Sequence, residues 1–198
     1  TSSGASGGKA VQLSAPTPTP TPTPMPTPTP TPGGGPGNQT NCATNPHICG
    51  YPDATNTGWQ PTGVTLTIIN QDPYTITTPG TVVDGKDIRG CVNVYAINVT
   101  IKRSKITCNN QPMIKTWQAD GHGGLNHLAA GLLIEDTELD GQGDVDSTAL
   151  KGRDYTVRRS YFHNIGSALR MEENTVVEDS YVTDIRSTQS SHNAGTPF

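Results

Sequence analysis

A short pattern of apolar and polar positions recurs four times along the chain: NVTIKRSKIT from Asn98, GLLIEDTELD from Gly131, DYTVRRSYFH from Asp154 and NTVVEDSYVT from Asn174. Each copy has an apolar β-branched residue (Ile101, Ile134, Val157, Val177), two charged residues and a Ser or Thr. After one variable position comes a second apolar residue (Ile106, Leu139, Phe162, Val182). The copies start 33, 23 and 20 residues apart. A period near 20 with insertions, in β-branched sequence, predicts a solenoid whose strands stack copy upon copy. Thr81-Val82-Val83-Asp84 reads as an earlier, degenerate copy. A second strand is expected before each motif, in Cys91–Ala96, Met113–Trp117, Thr148–Lys151 and Ala168–Met171. An excursion from Gln118 to Ala129, carrying His122 and His127, absorbs the longest offset.

The charged positions support stacking independently. Aligned copies give one column of Lys102, Glu135, Arg158 and Glu178 and another of Arg103, Asp136, Arg159 and Asp179, each alternating in sign at every step. Parallel coils place equivalent residues about 4.8 Å apart, so same-sign columns would repel along their length. Alternation removes that repulsion and penalises slipped registers, although each exposed pair contributes only about 0.2–1 kcal/mol. The next column, Ser104, Thr137, Ser160 and Ser180, is expected to form a hydroxyl ladder facing inward or at a corner.

Composition changes the picture mainly at the N-terminus. Only 31% of residues are hydrophobic, but nine of the 17 prolines alternate with mostly threonine between Pro16 and Pro32. Such a segment buries nothing and reads as a disordered but extended polyproline-II spacer of roughly 50 Å. The expected organisation is a remnant of an upstream module over 1–14, a Pro/Thr/Gly linker over 15–41 and a β-helix domain over 42–198. The net charge of −4, with no basic run interleaved with aromatics, points away from nucleic acid, and no apolar stretch reaches membrane-spanning length.

Four cysteines allow three connectivities. The local solution, Cys42–Cys49 and Cys91–Cys108, closes two short loops and suits the repeat register; zinc is the runner-up use, supported only by His47. Even cysteine usage beside such a linker favours a secreted, extracellular setting.

The segments TVVDGKDIRGC, NVTIKRSKITC, GLLIEDTELDGQG and NTVVEDSYVTD resemble secreted actinobacterial right-handed parallel β-helix proteins of the pectate-lyase-like superfamily, over Gly50 to about Asn193. The resemblance implies a parallel β-helix, here of four to five coils. It leaves function open, because the superfamily holds lyases, hydrolases, epimerases and non-catalytic adhesins. Such proteins continue past the position of Ser191-His192-Asn193 with an acidic residue and further coils. Here Ala194 stands in the acidic place, so the expectation is a longer parent protein or a truncated relative.

Two functions follow as expectations. The first is a polysaccharide lyase or hydrolase acting on uronate-containing chains along one exposed sheet. Lys115, Lys151 and Arg170 would form a basic column with no alternating acids, joined by Trp117 as a stacking surface. His163, Arg170, Asp184 and His192 are the candidate acids and bases. Asp140, Asp144 and Asp146, in a Gly-rich turn, are candidate calcium ligands, although such clusters are also ordinary turn chemistry. The second function is a non-catalytic polysaccharide-binding, adhesin or structural module, held by the linker away from a tethered upstream domain.

Overall fold

The computed structural model describes residues 41–110, 112–119, 121–122 and 124–187, without the side chains of Ala119 and Leu125. All of them belong to the unit Gly33–Phe198. The fold is a parallel β-solenoid of about six turns. The first turn carries β1 (Thr67–Ile69) and β2 (Tyr74–Ile76). The second carries β3 (Val82–Asp84), β4 (Lys86–Arg89) and β5 (Val92–Val94). The third carries β6 (Thr100–Lys102), β7 (Lys105–Thr107) and β8 (Ile114–Lys115), then an excursion formed by β9 (Trp117–Ala119) and β10 (Leu125–His127). The fourth has β11 (Leu132–Glu135) and β12 (Glu138–Gly152), the fifth β13 (Tyr155–Arg158) and β14 (Tyr161–Met171), and the sixth β15 (Thr175–Glu178) and β16 (Tyr181–Val182).

The strands form three faces. The first face is the five-stranded sheet β15-β13-β11-β6-β3. The second stacks β1, β4, β7, the start of β12, the start of β14 and β16; the third stacks β2, β5, β8 and the ends of β12 and β14. These two faces are continuous because β12 and β14 run through the corner between them, β12 with register shifts around Asp144. The Gly141-Gln142-Gly143 turn expected from sequence is thus an irregularity within one long strand. Inward columns are apolar at every level. Val83, Ile101, Ile134 and Val157 line the first face, Ile88, Ile106, Leu139 and Phe162 the second, and Val92, Ile114, Leu150 and Leu169 the third, all buried. Parallel strands tolerate this near-continuous apolar character because they are covered along their whole inner side.

The charged columns stack as the repeat requires. Asp84, Lys102, Glu135, Arg158 and Glu178 are in direct parallel register. The second column occupies the corner after the first face, where Arg103, Asp136, Arg159 and Asp179 adopt φ of 44–48° beneath Gly85 at 64°. Left-handed backbone costs a side-chain-bearing residue about 1–2 kcal/mol. Paired charges offset part of that cost. Arg159 Nε and a terminal nitrogen bind the two oxygens of Asp136 at 2.7 and 3.0 Å, and the same terminal nitrogen reaches Glu135 at 2.7 Å. Arg103 grips Asp84 in the same two-pronged way, and that hydrogen bonding holds the Asp84 carboxyl below its ordinary pKa despite burial.

Next to this corner lies the hydroxyl ladder. Ser104, Thr137 and Ser160 are fully buried. The hydroxyls of Ser104, Thr137, Ser160 and Ser180 donate to the carbonyls of Lys102, Glu135, Arg158 and Glu178, two residues back. Those of Ser104, Ser160 and Ser180 also accept the amides of Lys86, Thr137 and Ser160 in the preceding turn. Donors that the corner would otherwise strand are satisfied. Both local disulfides form, Cys42–Cys49 and Cys91–Cys108, the second joining successive turns. His47 therefore pairs with Asp53 rather than serving a zinc site.

The turn count exceeds the expected four to five because β1 and β2 form a first turn without the charged pair that marks the third to sixth turns. Before it, residues 41–66 form a strap of turns that descends the corner between the first and second faces. Gly58 N–H donates to the Arg159 carbonyl, Val64 packs at Gly85, and Thr67 N–H meets the Gly85 carbonyl.

If the corner charges set the register, Arg159→Asp should destabilise the chain by about 1 kcal/mol or somewhat more in urea unfolding, because it faces Glu135 and Asp136 with a like charge. The swap Asp136→Arg with Arg159→Asp should recover only part of that loss, because it sets like charges beside Arg103 and Asp179.

Candidate functional site

The third face carries the basic column. Ile114, Leu150 and Leu169 point into the core, so their neighbours Lys115, Lys151 and Arg170 point outward. Leu150 pairs with Ile114, which brings Lys151 level with Lys115, and Lys151 pairs directly with Arg170. The column continues towards the first turn through Asn93 and Thr75, which are uncharged. Elsewhere Arg89, Lys102, Arg103, Lys105, Arg153, Arg158 and Arg159 each lie within 4 Å of a carboxylate. Lys115, Lys151 and Arg170 have no such partner among the described residues, and neither does Lys86 on the second face. Three adjacent cations at strand spacing repel one another unless an anion lies across them.

Trp117 completes this surface. Thr116 between it and Lys115 is buried, so the indole emerges on the same outer side as the lysine. The Lys151 ammonium lies 5.9 Å from the indole centroid, within cation–π range. Two hollows, of about 180 and 390 Å³, meet at Trp117 and Pro112. The smaller is lined by Lys151, Arg170 and Thr148, the larger by Lys115, Asn93 and the carboxylate-bearing Asp72. The four residues expected to bind substrate thus line two hollows that have Trp117 and Pro112 in common.

The candidate acids and bases do not converge. His163 is on the second face and Arg170 on the third, near opposite ends of β14. Asp184 occupies the left-handed corner after β16, φ 50°, one turn beyond Asn164, φ 51°. His192 lies outside the described residues. Asp140 accepts the Gln142 amide and the Asn164 side-chain amide, and Asp144 accepts the Asp146 amide. Among the described residues no three His, Cys, Asp or Glu side chains gather as metal ligands. The Asp140 and Asp144 carboxylates are thus engaged in local backbone and side-chain hydrogen bonds at this irregularity.

The second face holds a polar cluster built on Glu138, whose position in the repeat is the variable one. Its side chain is 4% exposed and accepts from the Trp59 indole at 2.8 Å and Lys105 Nζ at 2.8 Å, with His163 Nε2 at 3.0 Å. Burial opposes ionisation, but hydrogen bonds from His163 and Lys105 and the lysine charge prevail and lower its pKa to about 2. An ionised carboxylate only accepts, so His163 Nε2 carries a proton. Asn164 directs its amide nitrogen to His163 Nδ1, 3.0 Å away, because its oxygen accepts from Arg186. Both ring nitrogens of His163 are therefore engaged, and Tyr161 stacks on the ring at 4.5 Å. Burial and the nearby carboxylates of Asp184, Glu138 and Asp140 push the Tyr161 hydroxyl upward. The cluster fastens the strap to the solenoid. Nothing in the repeat singles out Glu138, and no local spacing links it to Trp59.

Glu138 ionises at about 2 when folded, against an ordinary 4.5, so the unfolded chain binds more protons between those values. Its contribution to stability is complete above the ordinary value and lost as pH falls towards 2. Glu138→Gln should lower stability at neutral pH and flatten the acid limb of the unfolding profile, measured by circular dichroism.

Comparison with protein families, with curated proteins and with solved structures found no match.

Proposed function

We propose that this chain is a secreted protein of the pectate-lyase-like kind whose third face binds acidic, uronate-containing polysaccharide. The observation that carries the reading is the column Lys115, Lys151 and Arg170, which has no ion pair among the described residues, whereas the charged column of the first face alternates in sign level by level. A carboxylate on each sugar unit would supply the missing anions, and Arg170 offers a two-pronged donor for one of them. Trp117 at the junction of the two hollows suits stacking against a sugar ring. Two disulfides accord with an oxidising, extracellular setting, and among the described residues no helix is long and apolar enough to cross a membrane.

A non-catalytic polysaccharide-binding or adhesin role is the second reading. It is favoured by the outward third-face column, which runs Thr75, Asn93, Lys115, Lys151 and Arg170 without the paired carboxylates that glycoside hydrolysis uses. Release of unsaturated sugar ends separates a lyase from a binder.

Titration calorimetry with polygalacturonate should show binding that weakens with added salt, with no binding to neutral galactan. Lys151→Gln and Arg170→Gln should each reduce affinity roughly tenfold, whereas Arg158→Gln on the first face should leave it unchanged. Equal affinity in all three variants would defeat the proposal.

A further inference from the structure

The sixth turn ends the described stack with two strands that are paired on one side only, β15 with β13 and β16 with β14. Val177 and Val182 at this end are partly covered, whereas Val157 and Phe162 one turn earlier are fully buried. The sixth turn also repeats the charged corner of the fourth. Glu178-Asp179-Ser180 stands where Glu135-Asp136-Thr137 stands two turns before. The fourth turn carries the fifth on this row through three specific contacts. Arg159 reaches back to Asp136 with two hydrogen bonds, the Asp136 amide donates to the Arg158 carbonyl at 3.1 Å, and the Thr137 amide donates to the Ser160 hydroxyl at 3.4 Å.

The equivalent groups of the sixth turn have no described turn beyond them. Asp179 is the one charged member of the two first-face columns without an ion pair among the described residues. Among those residues the amides of Asp179 and Ser180 have no hydrogen bond to a following turn. An unpaired row of strand amides and carbonyls is a template for another strand, and the Asp179 carboxylate sets the charge that strand must bring. Residues 188–198 contain neither lysine nor arginine, so they cannot supply it. A second copy stacked head to tail would set β3 and its corner here, which offer Asp84 and Gly85, a like charge and no cation.

We infer that the edge of the sixth turn is a docking surface for a parallel strand of a partner protein, with arginine over Asp179 and serine or threonine next in sequence. The arginine grips Asp179 as Arg159 grips Asp136, the carbonyl of the residue before it accepts the Asp179 amide, and the hydroxyl accepts the Ser180 amide. An apolar residue two before the arginine covers Val177, and another two after the hydroxyl residue covers Val182, as Val157 and Phe162 cover Ile134 and Leu139. An added strand takes affinity from main-chain hydrogen bonds and specificity from alternate side chains, here a cation beside a hydroxyl. The inference is independent of the polysaccharide reading.

The fifth turn's own sequence, DYTVRRSYFHNIGSALRME, meets these requirements and serves as the probe. A fluorescently labelled peptide of that sequence should bind the full chain, and added salt should weaken the complex. Exchanging the peptide's second arginine for aspartate should reduce affinity about tenfold or more, and so should Asp179→Asn in the full chain. Asp179→Arg, checked for an unaltered circular dichroism spectrum, should reverse the preference between the two peptides. Amide exchange should slow at Asp179 and Ser180 when the arginine peptide binds, and not in β1 at the opposite end. Failure of that peptide to bind, equal affinity for the two peptides, or protection confined to other turns overturns the proposal. So does concentration-dependent self-association of the chain that excess arginine peptide fails to compete.

Discussion

Vertical registry governs this molecule. Each turn lies about 4.8 Å from the next, so an outward side chain meets its own counterparts above and below before it meets anything else. The three faces answer this constraint differently. On the first, charges alternate in sign from Asp84 to Glu178, and every level finds a complement. On the second, Lys105, Glu138 and His163 occupy successive levels around one buried carboxylate. On the third, Lys115, Lys151 and Arg170 leave the repulsion uncompensated by protein. The functional reading follows from that difference between faces, since all three share the same backbone.

Corners impose a second constraint. Each first-face strand is bracketed by left-handed residues, with Gly80, Asn98, Gly131, Asp154 and Asn174 before it and Gly85, Arg103, Asp136, Arg159 and Asp179 after it. The leading corner uses Gly, Asn and Asp, which tolerate this geometry. The trailing corner places arginine there twice, and at both places the guanidinium makes a two-pronged contact with an aspartate of the preceding turn. Local backbone strain and long-range charge pairing are coupled at the same residues.

Features that repeat were legible in the sequence. The apolar columns, the alternating charges, the Ser/Thr ladder and the disulfide between successive turns follow from aligning four short segments, and the cation column follows from extending that alignment one strand further. Asn98, Gly131, Asp154 and Asn174, which open the four copies, also carried the signal for the leading corner. Features that occur once were not legible. The first turn lacks the charged pair, so the turn count fell short. Trp59 and Glu138 meet across 79 positions with no periodicity to connect them. The position of His127 opposite Trp117 depends on pairing within an inserted ribbon, which composition does not show.

The strap alters how such a molecule would come apart. In a solenoid whose turns touch only their immediate neighbours, unfolding can begin at an end and peel inward. The indole of Trp59, bound to the fourth turn, and the amide of Gly58, bound to the fifth, connect the start of the domain to levels far along the axis. The terminal turns cannot fray from that side without first releasing the indole hydrogen bond to the buried Glu138 carboxylate. The middle of the stack and its beginning are thereby joined into one cooperative unit, and the chain gains closure across its length that stacking alone would not supply.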